Sequence, residues 1–336
     1  MQPLRIGTLG AARITPMALL RPSRTVSGAE IVAVAARDRG RAEKFARKHG
    51  IPTVHDSYGT LLADPSVEAI YNPLPNGLHG VWTLAAIAAG KHVLCEKPFT
   101  ANADEAEEVA SAADASGLVV MEAFHYRYHP LVERLLDIIA GGELGEVQSI
   151  ETRGCIPLPF PKDIRFQLTL GGGAVMDIGC YAIHQLRTLA GGEPKVTAAE
   201  AKQRSPGVDR WMRADMEFAD GRTGRIECAL WSRRVLSLGA RVKGSLGEMT
   251  VFNMTGPQYF HRVTVRTHDP RSGVRDRRHE RVKGEATYWY QLQAFVAAVR
   301  EGKPVLTPPS DAVANMRVID DVYRAAGMEP RQPTKV

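Results

Sequence analysis

Leu4-Arg5-Ile6-Gly7-Thr8-Leu9-Gly10-Ala11-Ala12-Arg13-Ile14-Thr15 is the stretch that decides the fold of this chain. A short apolar strand enters a glycine turn and then a helix, the place where a Gly-x-Gly-x-x-Gly fingerprint belongs. Only Gly10 survives from that pattern; Ala12 and Thr15 stand where the other glycines would be. A small residue at position 12 still lets the backbone approach a pyrophosphate, and the helix N-terminus would supply the donors. One glycine in such a turn is weak by itself. The residues around it have to carry the reading.

Working outward, buried strand patterns at 31–36, 69–72, 91–95 and 118–122 alternate with helical patterns at 41–49, 58–63, 80–89 and 103–116. That alternation implies a parallel sheet covered on both faces. After about residue 123 the texture changes. Alternating strands are expected at 147–155, 195–202, 210–218, 223–230, 235–243, 248–252 and 262–267, with turn signals such as Ala219-Asp220-Gly221 and Ser245-Leu246-Gly247 between them. Helices are expected at 129–140, 174–190, 288–300 and 311–326, the last with Asp311 as N-cap after a break at Pro308-Pro309. The expected fold is an α/β Rossmann domain, a doubly wound parallel sheet, over residues 1–123. An α+β domain with a large, mostly antiparallel open sheet would follow over 124–336.

Composition narrows the function classes. With 336 residues, 44% hydrophobic and 24% charged, the chain has ordinary globular composition and length for two cores. No apolar run reaches membrane-spanning length and no signal-peptide pattern is visible, so a cytoplasmic protein is expected. Four scattered cysteines, Cys95, Cys155, Cys180 and Cys228, form no Cys-x-x-Cys pair, which argues against disulfides and structural zinc. Cys180 and His184 are four apart, yet two ligands do not make a metal site. The net charge of +6 is concentrated in 261–283. There Asp269-Pro270-Arg271-Ser272-Gly273 reads as a hairpin turn between alternating strands, with solvated arginines at its tip, in preference to a nucleic-acid surface.

The second strand ends at Ala36-Arg37-Asp38, with Arg41 one turn on. A carboxylate at that strand end would hold the ribose hydroxyls of NAD. Arg37 and Arg41 are suited instead to a 2′-phosphate, which favours NADP with NAD as second choice. The bland alternative is a surface pair of arginines with Asp38 as a helix cap. Further on, His92-Val93-Leu94-Cys95-Glu96-Lys97-Pro98 ends an apolar strand on a lysine between a carboxylate and a proline. Proline restricts the residue before it to extended backbone and makes a cis bond available, so Lys97 would keep one orientation.

The helix after Gly171-Gly172-Gly173 places Asp177, Tyr181, His184 and Thr188 on one stripe and Val175, Ile178, Ala182, Leu186 and Leu189 on the other. The glycines suggest that something approaches the backbone closely. Tyrosine, with a free pKa near 10, is a poor base at neutral pH unless a cation favours its phenolate. The hypothesis is therefore Tyr181 as general acid/base, Lys97 as its electrostatic partner, and Asp177 orienting the substrate hydroxyl or Lys97.

Five motifs in order identify a family resemblance: Gly10-Ala11-Ala12, Tyr71-Asn72-Pro73-Leu74-Pro75-Asn76 with His79, Glu96-Lys97-Pro98, Glu122-Ala123-Phe124-His125-Tyr126-Arg127, and Gly171-Gly172-Gly173-Ala174-Val175-Met176-Asp177-Ile178-Gly179-Cys180-Tyr181. Across nearly its whole length the chain resembles the glucose–fructose oxidoreductase, inositol dehydrogenase and rhizopine-catabolism (Gfo/Idh/MocA) superfamily. It is most similar to the dihydrodiol dehydrogenase and NADP-dependent D-xylose dehydrogenase branch; Tyr181 departs from the histidine of inositol-type members. The resemblance implies an NADP-dependent dehydrogenase or reductase of a sugar or cyclic diol, with substrate in the cleft between the domains. It also implies a homodimer or homotetramer formed through the second sheet. By the same resemblance Gly10, Ala11, Ala12, Arg13, Ile14, Pro73, Asn76, His79, Glu96 and Pro98 border the cofactor. Arg127 and Arg165 reach its nicotinamide half or the substrate, and His184 contacts substrate or sits behind it. Rival readings are a glycoside-processing enzyme with tightly held NAD, and a nucleotide-sensing regulator without turnover.

Overall fold

The computed structural model describes residues 2–160, 162–268 and 273–336. They form two compact units. Unit 1 comprises residues 1–128, 288–313 and 332–336; unit 2 comprises 129–287 and 314–331. A single crossing at 123/124 was expected. Instead the chain returns to unit 1 with the helix that follows residue 287.

Unit 1 contains a six-stranded, all-parallel sheet of β1 (Leu4–Leu9), β2 (Ala29–Ala35), β3 (Thr53–His55), β4 (Ala69–Asn72), β5 (His92–Cys95) and β6 (Val120–Glu122), in the order β3-β2-β1-β4-β5-β6. The order reverses between β1 and β4, which makes the carboxyl ends of those strands the natural ligand crevice. β3 escapes the sequence pattern because it is three residues long and only partly buried. Every residue of β4 is buried, as a strand covered on both faces requires. One face packs Leu4, Ile6, Tyr71, Leu94 and Met121 against Tyr288, Leu292 and Phe295, from the late helix Thr287–Glu301. That shared core is why the helix belongs to this unit.

Several of the helices start where side chains cap them. α1 (Arg39–His49) has Asp38 as its N-cap, accepting from the Arg41 N–H at 2.8 Å; α2 (Tyr58–Leu62) opens on a Ser57–Thr60 capping box; α4 (Ala103–Ser116), which follows α3 (His79–Ala88), is capped by Asn102. The expected first helix is reduced to a wide turn over Pro16–Leu20 and a tight one over Pro22–Arg24, so its dipole is short. The last helix of the chain, Pro309–Ala325, starts two residues before the expected cap and places Asp311 inside its first turn. Pro309 begins it rather than breaking it, because proline's missing N–H is harmless there.

Unit 2 contains an eight-stranded sheet ordered β14-β13-β12-β11-β7-β10-β9-β8, in which only β7 (Val147–Cys155) and β10 (Thr223–Ala229) run parallel. The others are β8 (Lys195–Ser205), β9 (Val208–Glu217), β11 (Ser237–Gly244), β12 (Gly247–Phe252), β13 (Arg262–His268) and β14 (Arg275–Glu280). Alternation splits the residues of the inner strands. Met212, Ala214, Met216, Ile226, Ile150 and Val242 are buried, while Arg213, Arg225 and Arg241 are exposed. The exposed charges pair across strands, Arg225 with Asp215 at 2.5 Å and Arg241 with Glu248 at 2.5 Å.

The expected hairpin tip at 269–272 lies outside the described residues. Its arginine-rich continuation is itself a strand, β14 at the sheet edge, where Arg278 pairs with Glu143 and Glu280, and Arg134 also pairs with Glu280. Charged residues on an edge strand oppose edge-to-edge pairing with other chains. All four cysteines are buried thiols.

Candidate cofactor and catalytic site

Gly10 ends β1 with φ +81°, a conformation that favours glycine. A Cβ there would lie 3.2 Å from Leu74 and 3.8 Å from the Tyr58 hydroxyl. The following residues fold over themselves, the Thr15 N–H donating to the Ala12 carbonyl and those of Met17 and Ala18 to Ile14. Ala11 is buried, Ala12 and Ile14 are half-buried and Arg13 is exposed. Arg41 reaches back across this turn, its Nη2 donating to the Ala11 carbonyl at 3.0 Å. Asp38 is a helix cap, as the bland reading had it, and Arg41 nonetheless lies against the glycine turn. Arg37 is exposed at the end of the same strand, and the rings of Tyr58 and Trp82 meet edge to face at 4.8 Å nearby. Tyr58 was missed because its partners, Arg37, Gly10 and Trp82, are not neighbours in sequence; no local pattern announces it.

A second group of predicted residues is brought together by short-range bonds. Asn72 donates to the His79 carbonyl at 3.0 Å and to Thr83 at 3.1 Å, folding the Pro73–Asn76 turn. His79 is 1% exposed, with Nε2 2.6 Å from the Leu74 carbonyl and Nδ1 2.7 Å from the Pro98 carbonyl. The ring thus bridges the turn after β4 and the turn after β5. Burial lowers its pKa to about 4 despite those two carbonyls, and Lys97 adds to the lowering. Lys97–Pro98 is a cis peptide bond. Glu96 is buried and accepts from the Tyr71 hydroxyl at 2.7 Å, and Lys97 is half-buried between these fixed neighbours. His125, which the sequence reading named only within a motif, is buried, stacks 4.0 Å from Tyr288, and has its pKa lowered to about 3 by burial and then by Lys97. Arg127 lies two residues on, half-buried in the single turn His125–Tyr128.

Unit 2 brings Arg165 and Asp177 together, Nε to Oδ2 at 3.0 Å, with Asp163 at 3.1 Å from the same guanidinium. Asp177 first, and Asp163 after it, hold Arg165 in its charged form. Asp177 thus pairs with Arg165; the sequence reading gave it a hydroxyl or Lys97.

The expected amphipathic helix differs in two respects. Its first turn, Val175–Gly179, is widened to i→i+5 bonding, and only Cys180–Ala190 is regular α-helix, α6. The widened turn shifts Asp177 out of the 100° phase assumed for a uniform helix. Tyr181 and His184 are 5% and 2% exposed, so the polar stripe is enclosed with the apolar one. Nor are the glycines open to a ligand. A Cβ on Gly172 would meet the Arg165 and Gln167 carbonyls at 2.8 Å, and one on Gly179 would meet Cys228 Sγ at 2.8 Å. The close approach is made by the protein itself.

Among the described residues, no group of three or more His, Cys, Asp or Glu could hold a metal ion, and no helix is long and apolar enough to cross a membrane.

Residues 4–124 match the family model described as an oxidoreductase family with an NAD-binding Rossmann fold, and residues 132–250 match the GFO/IDH/MocA C-terminal domain. The chain belongs to the Gfo/Idh/MocA oxidoreductases. Among its relatives in that family is the D-xylose 1-dehydrogenase (NADP(+)) 2 of Haloferax volcanii, 36% identical over 96% of this chain and 97% of the relative. The trans-1,2-dihydrobenzene-1,2-diol dehydrogenase of Sus scrofa is 35% identical over 65% of this chain and 64% of its own. A 3-ketoreductase from Actinomadura kijaniata, solved with NADP and TDP-benzene, superposes with a TM-score of 0.87 at 28% identity, covering 96% of this Gfo/Idh/MocA chain and 98% of the other.

Proposed function

We propose that the protein is an NADP-dependent oxidoreductase that moves a hydride between a carbinol carbon of a sugar or cyclic vicinal diol and nicotinamide. The observation that carries this reading is Lys97, held at the carboxyl end of β5 in the same unit as the Gly10 turn. The residues present fit the cofactor. Gly10 opens the turn, and Arg41 crosses it. Arg37 stands at the end of β2, where a 2′-phosphate would find a bidentate partner. Asp38, the one carboxylate nearby in sequence, already caps α1. Pro73, Asn76, Glu96 and Pro98 belong to the two turns that His79 bridges, and they are assigned to the cofactor's border with Ala11, Ala12, Arg13 and Ile14. When bound, the cofactor supplies the hydride acceptor or donor.

The chain's own residues supply the rest. The Lys97 ammonium donates to the reacting oxygen and favours an ionised phenol at Tyr181, which takes or returns the hydroxyl proton. Asp177 fixes Arg165 for the substrate or the nicotinamide half, and Arg127 serves the same end from unit 1. His184, enclosed in α6, is assigned a place behind Tyr181. Self-association through the open face of the second sheet, as a homodimer or homotetramer, is assigned on the family resemblance.

Absorbance at 340 nm with NADP or NAD and a panel of aldoses and trans-diols tests the reading. Reduction of NADP by one member establishes the dehydrogenase and its substrate class. Silence across the panel with NADPH bound turns attention to keto-sugar reduction, the same hydride transfer reversed. Failure to bind either nucleotide would sink the proposal.

A further inference from the structure

We propose that the buried pair Asp209–Arg331 is a positioning device that sets the start of the helix carrying Asp177 and Tyr181. This rests on the roles given above to those two residues. Arg331 is 2% exposed and Asp209 0%, with Nη2 2.7 Å from Oδ1. Two enclosed charges are seldom there for stability alone, since apolar residues of the same volume are often as stable. What the pair holds is specific. Asp209 Oδ2 accepts from the Val175 N–H at 2.8 Å, and Arg331 Nε donates to the Gly172 carbonyl at 2.7 Å. The Tyr323 hydroxyl donates to Asp209 Oδ1 at 3.0 Å, its ring lies 4.1 Å under the guanidinium, and Nη1 of Arg331 reaches the Glu329 carbonyl at 3.2 Å. Burial raises the Asp209 carboxyl, while Arg331, the Val175 N–H and the Tyr323 hydroxyl act to keep it ionised.

Two further observations point the same way. Gly173 has φ +140°, and a Cβ on it would fall 2.2 Å from Asp209 Oδ1 and 2.7 Å from both Arg331 Nη2 and the Tyr323 oxygen. The glycine is the room the pair occupies. Moreover, α1, α2 and α4 are capped by the residue directly before them, whereas Ala174 offers no side-chain cap. Here the orphan N–H of Val175 is satisfied from β9 instead, while Arg331 donates to the Gly172 carbonyl just before it. A cap taken from β9 fixes the helix start relative to the sheet; a local cap would fix it only to itself. Asp177 is two residues beyond Val175, inside the widened turn.

The test compares the unsubstituted protein with Asp209→Asn/Arg331→Met, which removes both charges together, and with Arg331→Lys, which keeps one donor. Hydrogen exchange over residues 171–181, NADPH affinity, and kcat and KM against pH are measured. In the double variant, exchange at 171–181 is expected to accelerate and kcat to fall about ten- to a hundredfold, with its pH profile displaced and NADPH affinity unchanged. Arg331→Lys is expected to recover part of kcat. Unchanged exchange at 171–181 overturns the proposal, as does a folded double variant whose kcat stays within about twofold at every pH. If the double variant does not fold, full kcat and an unmoved profile in Arg331→Lys overturn it. Absence of any turnover in the unsubstituted protein would defeat the functional reading instead, while the exchange data still decide whether the pair holds the helix.

Discussion

Unit 1 fixes its lysine with neighbours in sequence, whereas unit 2 fixes its helix with residues far away. The bridge at Lys97 is built from Asn72, Leu74, His79 and Pro98, with the longest step 19 residues. The start of the other helix is held from 34 residues away at Asp209 and from 159 at Arg331. Short-range bonds write themselves into motifs; long-range ones leave isolated residues. The first kind tolerates loss of one member poorly because the same few atoms do everything. The second spreads its hold over strand, helix and tail.

The largest effect that would sharpen this contrast is at Lys97. Lys97→Met is expected to lower kcat by about a hundred- to ten-thousandfold while NADPH fluorescence shows binding intact. Near-normal turnover in both Lys97→Met and Tyr181→Phe, with NADPH still bound, would break the comparison, leaving neither anchor with a task. Next, Arg37→Ala/Arg41→Ala is expected to weaken NADP binding by about ten- to a hundredfold and leave NAD unchanged, since each lost phosphate contact is charge-assisted. Titration of both nucleotides reads that directly.

Acid should act on the buried histidines of unit 1. His79 and His125 are held neutral in the fold, at about 4 and about 3, chiefly by burial. Their ordinary value is 6.5, so below it the unfolded chain takes up protons that the folded one refuses. Stability is full above about pH 6.5 and lost progressively toward pH 4, followed by urea midpoints across that range. A flat profile would mean the rings are charged in place. The smallest effect belongs to the open face of the second sheet. Arg225→Ala, which deletes an exposed pair with Asp215, is expected to cost less than about 1 kcal/mol in thermal melts.

What the sequence discloses follows the same division. The parallel sheet is legible because buried strands are unbroken apolar runs, and the antiparallel one because alternation survives in Arg210 to Phe218 and its neighbours. β14 is legible only as the unbounded far arm of a hairpin, because Arg275 to Glu280 are nearly all charged and pairing with β13 is what makes them a strand. Lys97 and Arg41 emerge from local context, and His79 only through the family resemblance. Arg331 does not, being one arginine among many near the C-terminal end until Gly172 and Asp209 are placed beside it. The three glycines were legible as a close approach, but not as to what approaches. A sequence shows that room is needed and leaves the occupant unspecified.

The enclosed thiols have a practical consequence. Burial raises Cys95 and Cys228 well above the ordinary thiol value and pushes Cys155 to about 11, and Cys180 is equally enclosed. Alkylating and oxidising reagents act on the thiolate, so the native protein offers them almost nothing. Purification in air should leave it unmodified, and colour from a disulfide reagent should develop only as fast as the molecule opens. The four sulfurs then serve as a built-in clock for the opening of both units, Cys95 for the first and the other three for the second.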